Sequence, residues 1–535
     1  MNDAQFGMVG LGTMGRNFLL NVAQHGFSCV GYDLDSEKRK LLLEEGSGFK
    51  IDVGQTPEEF VAKIARPRNI MLLVPAGPIV DSAINSLLPY LDRDDLIIDG
   101  GNSHFTDTER RERQLIESGI EFMGVGVSGG EEGARHGASI MPGGNLAFYD
   151  RVAPIFETVA AKVNGEPCVA FMGTSSAGHF VKMVHNGIEY GLMQILAETY
   201  DFMLRVLKLD YKQMSDIFAR WNDSELNSFL VEITTEVLRK VDADTGKPLV
   251  EMVLDKAAQK GTGKWTSQAA MDFGVPIPTI DSAVSMRQIS SQKETRLLLA
   301  KKYSAASIPA AADVAPSGEM VTSEPQYDLK AHLAREDVKT VASEQQKTSL
   351  GNVGESGNGD KDRQADPANK AVREQFLDES ELSIEQLKNA LLSSFITIYS
   401  QGMSLLQTAS IEKNYGLNLS AIAKIWRGGC IIRSALLEEM HRAFTEDPKL
   451  PNLLLDDRFA QILDANRQDW RTVNEMFLAS RVPSLCLSSA LGYFDAFRSE
   501  RLPANLIQAQ RDFFGAHTYQ RIDKEGIFHT PDWNA

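Results

Sequence analysis

The sequence predicts an α/β domain followed by a large all-α domain and a short C-terminal tail. Three observations lead there. Short apolar runs alternate with helical patterns as far as about residue 173. The first of these units encloses the spacing G-x-G-x-x-G. From Ser175 onward the pattern is helical almost throughout, broken only by a low-complexity stretch at 303–380. At 535 residues the chain is also too long for one ordinary core.

The first unit, FGMVGLGTMGRNFLLNVAQHGFSCVGYD (6–33), reads as strand, tight turn, helix, strand. Phe6, Met8 and Val9 lead into Gly10-Leu11-Gly12-Thr13-Met14-Gly15. Leu19, Leu20, Val22 and Ala23 give the buried face of a helix that Gly26 ends, and Ser28–Tyr32 form the second strand. In such a turn the first glycine makes the bend, the second lets the backbone approach a pyrophosphate, and the third permits close helix packing. The pyrophosphate then rests on the free amides of the helix N-terminus. Asp33 follows Gly15 by 18 residues, where an acid accepts hydrogen bonds from the adenosine ribose. A Rossmann-like, dinucleotide-binding reading follows. NAD offers Asp33 a ribose hydroxyl, whereas a 2′-phosphate meets Asp33 and Asp35 with only Lys38 and Arg39 to offset them. Asp35 and Ser36 also suit the cap of the next helix.

The strands NIMLLVPAG (69–77) and DLIIDGGN (95–102) continue the sheet, and their carboxyl ends place Val74, Pro75, Ala76 and Asn102 beside the cofactor. EFMGVGVSGGEEGARHGASIMPGG (121–144) reads as a strand breaking into a glycine-rich loop. That loop either holds an anion on its amides or is a plain surface loop. Next, 175–204 reads as one long helix on which Lys182, His185, Asn186 and Glu189 share a face. This stripe suits an oxygenated anionic substrate, although spacing alone favours an ordinary solvated face.

Bulk properties narrow the function. A net charge of −17 argues against general nucleic-acid binding. The four cysteines are scattered without a CxxC pair, which suggests neither a disulfide framework nor zinc. No apolar run is long enough to span a bilayer, the N-terminus lacks a basic segment followed by an apolar core, and a cytoplasmic protein is expected. No cluster of metal ligands stands out in the sequence.

Six segments together resemble the decarboxylating 6-phosphogluconate dehydrogenases: GLGTMG, DGGNS (99–103), GVSGGEEGARHGASIMPGG, VKMVHNGIEYG (181–191), QKGTGKWT (259–266) and ANLIQAQRDFFGAHTYQR (504–521). The resemblance implies oxidation of 6-phosphogluconate by a nicotinamide dinucleotide, then loss of CO2 to give ribulose 5-phosphate. It makes Lys182 the general base and Glu189 the acid that protonates C1. It assigns the substrate's carboxylate and hydroxyls to Asn102, Ser128, Gly129, Gly130, His185 and Asn186. The phosphate falls to Tyr190, Lys260, Thr262, Arg287 and Arg511, with His517 close by. In the family the segment carrying Arg511 and His517 enters the other subunit's site, so a homodimer is implied.

The chain departs from the family three times. Commoner members have Asn-Arg-Thr at Asp33-Leu34-Asp35, the arginine holding the NADP 2′-phosphate. Leu34 cannot form that contact and Asp33 repels it, so NAD is the expected acceptor, with NADP still possible through Lys38 and Arg39. Pro75 replaces a lysine beside the cofactor. Residues 303–380, rich in Ala, Pro, Ser, Gly and charge, read as a flexible insertion. The expected division is 1–178, then 179–302 with 381–505, then a tail at 506–535. Two rivals stand beside this reading. One is a related β-hydroxyacid dehydrogenase acting on another sugar acid; the other is a non-catalytic, cofactor-sensing scaffold.

Overall fold

A computed structural model describes residues 3–259, 261–303 and 380–533, with backbone only at 380–383. Seven strands form one sheet: β1 (Phe6–Val9), β2 (Cys29–Tyr32), β3 (Ile51–Val53), β4 (Asn69–Leu72), β5 (Leu96–Asp99), β6 (Glu121–Ser128) and β7 (Ser139–Gly143). Their order is 3-2-1-4-5-6-7. The first six are parallel, and β7 runs antiparallel to β6 from Gly124↔Gly143 to Ser128↔Ser139. β1, β2 and β5 are buried along their whole length, which is why they read as continuous apolar runs: helices cover both faces of a parallel sheet. Those helices are α1 (Thr13–Gln24), α2 (Ser36–Glu45), α3 (Pro57–Ala62), α4 (Pro78–Leu87), α5 (Phe105–Glu117), α6 (Gly130–His136) and α7 (Leu146–Val159). The strand order reverses at β1, and the crevice beyond the carboxyl ends there is where such sheets bind ligands.

Two boundaries differ from the sequence reading. The second strand starts at Cys29 rather than Ser28. The stretch after Ser128 is not an open loop: it folds as the turn at Gly129, helix α6 and strand β7. Gly129 and Gly137 flank α6 with φ of 114° and 141°, so glycine there serves two corners rather than a flexible run.

The second part is helical: α8 (Ala177–Arg205), α9 (Tyr211–Asn222), α10 (Phe229–Arg239), α11 (Leu249–Met252), α12 (Thr262–Asp272), α13 (Pro278–Ser291) and α14 (Lys293–Lys302) precede the gap. After it come α15 (Ser380–Glu412), α16 (Leu419–Ile425), α17 (Leu436–Glu446), α18 (Asp457–Ser480), α19 (Leu485–Phe497) and α20 (Ala504–Gly515). Helix α8 packs on β6 and β7 along one side and on α12, α13 and α15 along others. It is therefore buried nearly all round, and its polar side chains had to find partners rather than solvent. The 303–380 stretch lies, apart from its two end residues, outside the described residues.

The tail is organised by one carboxylate. Asp512 accepts from the amides of Thr518 (2.9 Å) and Thr530 (3.0 Å), from Trp533 Nε1 (3.1 Å) and from His529 Nδ1 (2.9 Å). Burial opposes its charge, but these donors prevail and hold the carboxyl down at about 2. Around it Leu506, Ile507, Phe513 and Phe514 stand exposed.

Candidate active site

Strand β6 and helix α8 meet along alternating positions. A Cβ on Gly124 would stand 2.8 Å from His179 Nδ1, and one on Gly126 would stand 2.4 Å from Lys182 Cβ. Next on the same strand face, Ser128 Oγ lies 3.2 Å from His185 Nε2. The two glycines thus bring the strand to the base of Lys182, whose side chain is only 6% exposed. Lys182 Nζ lies 3.4 Å from His185 Nδ1, which is 3.0 Å from Asn186 Oδ1. Glu189 Oε2 lies 3.9 Å from the same ring nitrogen.

Burial lowers the Lys182 ammonium below the ordinary lysine range, against the opposing pull of Glu189. Burial raises the Glu189 carboxyl, against Lys182 and Arg287. Burial also holds His185 well below the usual imidazole range, and the Lys182 charge adds to this. The face therefore carries an amine disposed to give up its proton, a carboxyl disposed to keep one, and a neutral imidazole between them. That is a pair of proton carriers of opposite type, not a solvated stripe.

Helix α12 closes the other side. Asn186 Nδ2 donates to Thr262 Oγ1 (3.1 Å), and Thr266 Oγ1 donates to Met183 O (2.8 Å). A Cβ on Gly263 would stand 2.4 Å from the Tyr190 ring, so GTGKWT is the spacing that lets α12 lie across α8. Over the same ring sits Arg287, its Cζ 3.5 Å from the centroid, donating to Ala258 O at 2.9 Å. Thr262, Tyr190 and Arg287 are thus brought together beside Asn186. Lys260 lies outside the described residues.

The candidate cofactor cradle is the β1–α1 turn. A Cβ on Gly15 would fall 1.9 Å from Gly10 O, whereas one on Gly12 meets nothing of this chain within 4 Å. Gly12 caps α1 with no side-chain acceptor on its amides. Open space and free amides at a helix N-terminus fit a dinucleotide's pyrophosphate. Leu11, Thr13 and Met14 complete this turn, and the Leu11 amide donates to Asp33 Oδ2 at 2.8 Å. The Asp35 amide donates to Asp33 Oδ1 (3.0 Å), and Lys38 Nζ lies 3.6 Å from Oδ2. Asp35 itself caps α2 through the Glu37 amide. Leu34 points away and is 88% exposed. Arg39 donates to the carbonyl of Asp33 and, at 3.2 Å, to Gln55 Oε1. Val74 is half-buried, and Pro75 and Ala76 are exposed at the end of β4.

Asn102 is exposed on the turn after β5. Gly129 and Gly130 open α6, where a Cβ on Gly129 would stand 2.6 Å from Gly429 O. Arg511 and His517 are not brought to this face. Arg511 bonds Gln508 Oε1 in its own helix, His517 lies edge-on to Phe514, and among the described residues no hydrogen bond joins either to α8.

Sequence reasoning missed the support behind Asn102. Asp99 accepts from the Gly101 amide (3.0 Å), Ser103 Oγ (2.6 Å) and Arg111 Nη1 (3.4 Å). Arg111 also grips Asp81 and donates to Gly77 O (3.0 Å). The signal was present: Arg111 falls on the buried stripe of α5 with Phe105, Thr108 and Leu115.

Comparison with known proteins identifies the family. Residues 5–173 match the NAD binding domain of 6-phosphogluconate dehydrogenase. Residues 178–326 and 355–533 match the 6-phosphogluconate dehydrogenase C-terminal domain. The chain is 44% identical over 533 residues, all of both chains, to the NADP(+)-dependent, decarboxylating 6-phosphogluconate dehydrogenase of Bacillus subtilis. It is 43% identical over the whole of both chains to the decarboxylating enzyme of Escherichia coli. Plasmodium falciparum 6-phosphogluconate dehydrogenase, solved in apo form and with NADP+ or 6-phosphogluconate, aligns with a TM-score of 0.82. That match has 36% identity and covers 98% of this chain and 100% of the other. With both domains matched, and with full-length relatives above two-fifths identity, the chain belongs to the 6-phosphogluconate dehydrogenase family.

Proposed function

We propose that this chain oxidises and decarboxylates 6-phosphogluconate to ribulose 5-phosphate, with NAD as its preferred acceptor. The observation that carries the reaction is the Lys182–Glu189 pair, shifted in opposite directions on one buried helix face. When bound on the β1–α1 turn, the dinucleotide supplies a hydride acceptor. Lys182 Nζ takes the proton of the C3 hydroxyl as that carbon is oxidised to a ketone. The ketone draws in the electrons of the breaking C1–C2 bond, and Lys182 returns a proton to its oxygen as CO2 leaves. Glu189 then protonates the enediol at the former C2, which becomes C1 of ribulose 5-phosphate. Ser128, His185, Asn186 and Asn102 hold the hydroxyls and carboxylate, while Tyr190, Lys260, Thr262 and Arg287 hold the phosphate.

The preference for NAD rests on Asp33. Its two oxygens are fixed by the Leu11 and Asp35 amides, which keeps a carboxylate at the end of β2 beside the β1–α1 turn, the position where an acid meets a ribose in such folds. Leu34 and Pro75 supply no charge for a 2′-phosphate, and Arg39 is engaged with the Asp33 carbonyl and Gln55. The Bacillus subtilis relative is named for NADP(+), and NADP+ is named as the cofactor of the Plasmodium falciparum enzyme, so this chain would differ from both. Initial rates on 6-phosphogluconate with each dinucleotide decide the point. A higher kcat/KM with NAD is expected; a higher value with NADP would mean that Lys38 and Arg39 capture the phosphate.

We also propose a homodimer in which the tail, with Arg511 and His517, completes the partner's phosphate site. Exposed apolar side chains on α20 support this, since they stand uncovered among the described residues. The 303–380 stretch is proposed as an insertion in the helical domain, and the break in the family match at 327–354 falls inside it.

A further inference from the structure

His179 lies one turn before Lys182 on α8 and is fully buried, yet the reaction outlined above does not use it. Its Nε2 lies 2.9 Å from the backbone carbonyl of Asp99. A carbonyl only accepts, so Nε2 carries the proton and Nδ1 is left as an acceptor. Nδ1 lies 2.6 Å from Thr108 Oγ1, whose hydroxyl therefore donates to it. Burial lowers the imidazole's affinity for a second proton, in keeping with this single neutral tautomer. Gly124 leaves the room the ring needs.

The residue it holds, Asp99, is the anchor of the turn that carries Asn102. The Asp99 carboxylate binds the Gly101 amide, Ser103 and Arg111, and Arg111 reaches the Gly77 carbonyl on the cofactor side. His179 links this assembly by a hydrogen bond to the helix that bears Lys182, His185 and Glu189. We propose that His179 is a positioning residue: it fixes the height of the Asp99–Ser103 turn against α8, so that Asn102 and Lys182 address the same substrate carbon. The proposal rests on the reaction assigned above.

The test compares wild type, His179→Phe, His179→Gln and Thr108→Val on 6-phosphogluconate and on the substrate deuterated at C3. For His179→Phe a kcat lower by about 30- to 100-fold is expected, the scale of a roughly 1 Å misplacement. The deuterium effect on kcat should rise as hydride transfer becomes limiting, and the dinucleotide Kd should stay within about twofold. Glutamine retains a donor and should recover part of the loss. Thr108→Val, which leaves the ring in place, should show the same pattern at about fivefold. A role confined to folding would lower Tm and the active fraction without moving the isotope effect, and that result would overturn the proposal. So would an unchanged kcat and isotope effect in either His179→Phe or Thr108→Val, and Thr108→Val decides alone if the phenylalanine variant does not fold. A wild-type chain inactive on 6-phosphogluconate would instead remove the reaction on which the proposal rests, a failure visible before any variant is measured.

Discussion

Replacing Gly126 by alanine should separate turnover from stability. Gly126 has no positive φ, so its backbone accepts alanine without strain. The new Cβ, however, would stand 2.4 Å from Lys182 Cβ, 3.0 Å from Lys182 Cγ and 3.1 Å from Gly178 O. Non-bonded carbons rest about 3.5–4.0 Å apart, so strand and helix must part by on the order of 1 Å. Neither neighbour yields easily, since one is a backbone carbonyl and the other the root of a buried side chain. Overpacking of this kind costs about 1–3 kcal/mol, which lowers Tm by a few degrees and leaves a folded protein. The same 1 Å displaces Lys182 Nζ from the reacting hydroxyl and is worth about 100-fold in kcat, or about 2.7 kcal/mol of barrier. Dinucleotide binding should persist, because β4 and β5 separate β6 from the cradle at β1. Thermal melting, nucleotide titration by fluorescence and steady-state kinetics read the three quantities. A Gly126→Ala chain with wild-type kcat would refute the idea that β6 sets the position of Lys182.

Three further outcomes are expected. Lys182→Ala should abolish turnover while leaving dinucleotide Kd within about twofold; near-wild-type turnover would remove Lys182 as the base. Mixing Lys182→Ala with Arg511→Ala chains should restore about a quarter of wild-type activity, because half of random dimers are mixed and each holds one intact composite site; no recovery would mean that the tail serves its own chain or none. Glu198 is buried against the amides of Cys486 (3.0 Å) and Leu487 (2.9 Å), and burial outweighs them, raising its carboxyl to about 7. Its folded value lies above its unfolded one, so its stabilisation is complete below the unfolded value and is lost as pH rises through 7. At about 1.4 kcal/mol per unit, the loss is on the order of 3 kcal/mol. Glu198→Gln should flatten the fall in Tm between pH 5 and pH 8; equal slopes in both proteins would count against it.

The parts legible in the sequence were those governed by local rules. The β1–α1–β2 unit declared itself because turn chemistry, periodicity and the placement of Asp33 all agree within thirty residues. The 121–144 stretch was misread because composition does not say why glycine is there. Gly124 and Gly126 sit inside a strand to admit α8, while Gly129 and Gly137 turn corners around α6. His179 escaped notice because the polar stripe was begun at Lys182, although one more step of three residues reaches it. Arg511 and His517 could be named from the resemblance, but nothing in the pattern of the tail says where it packs, and among the described residues neither is hydrogen-bonded to α8.

The geometry of β6 against α8 also explains why the chemistry occupies so short a stretch. Two strand residues advance about 6.6 Å, while three helix residues advance about 4.5 Å. The pairings Gly124–His179, Gly126–Lys182 and Ser128–His185 therefore drift by about 2 Å at each step, and three steps exhaust the contact. Within that span the strand presses the helix side chains into fixed positions: His179 on the turn of Asn102, Lys182 at its base, and His185 on Ser128. Glu189 lies one turn beyond the last pair. Its side chain keeps 21% of its surface, where Lys182 keeps almost none. On the proposed mechanism, the base, which must meet one hydroxyl, is clamped by the strand. The proposed acid, which must reach a carbon only after CO2 has left it, stands where the strand has let go.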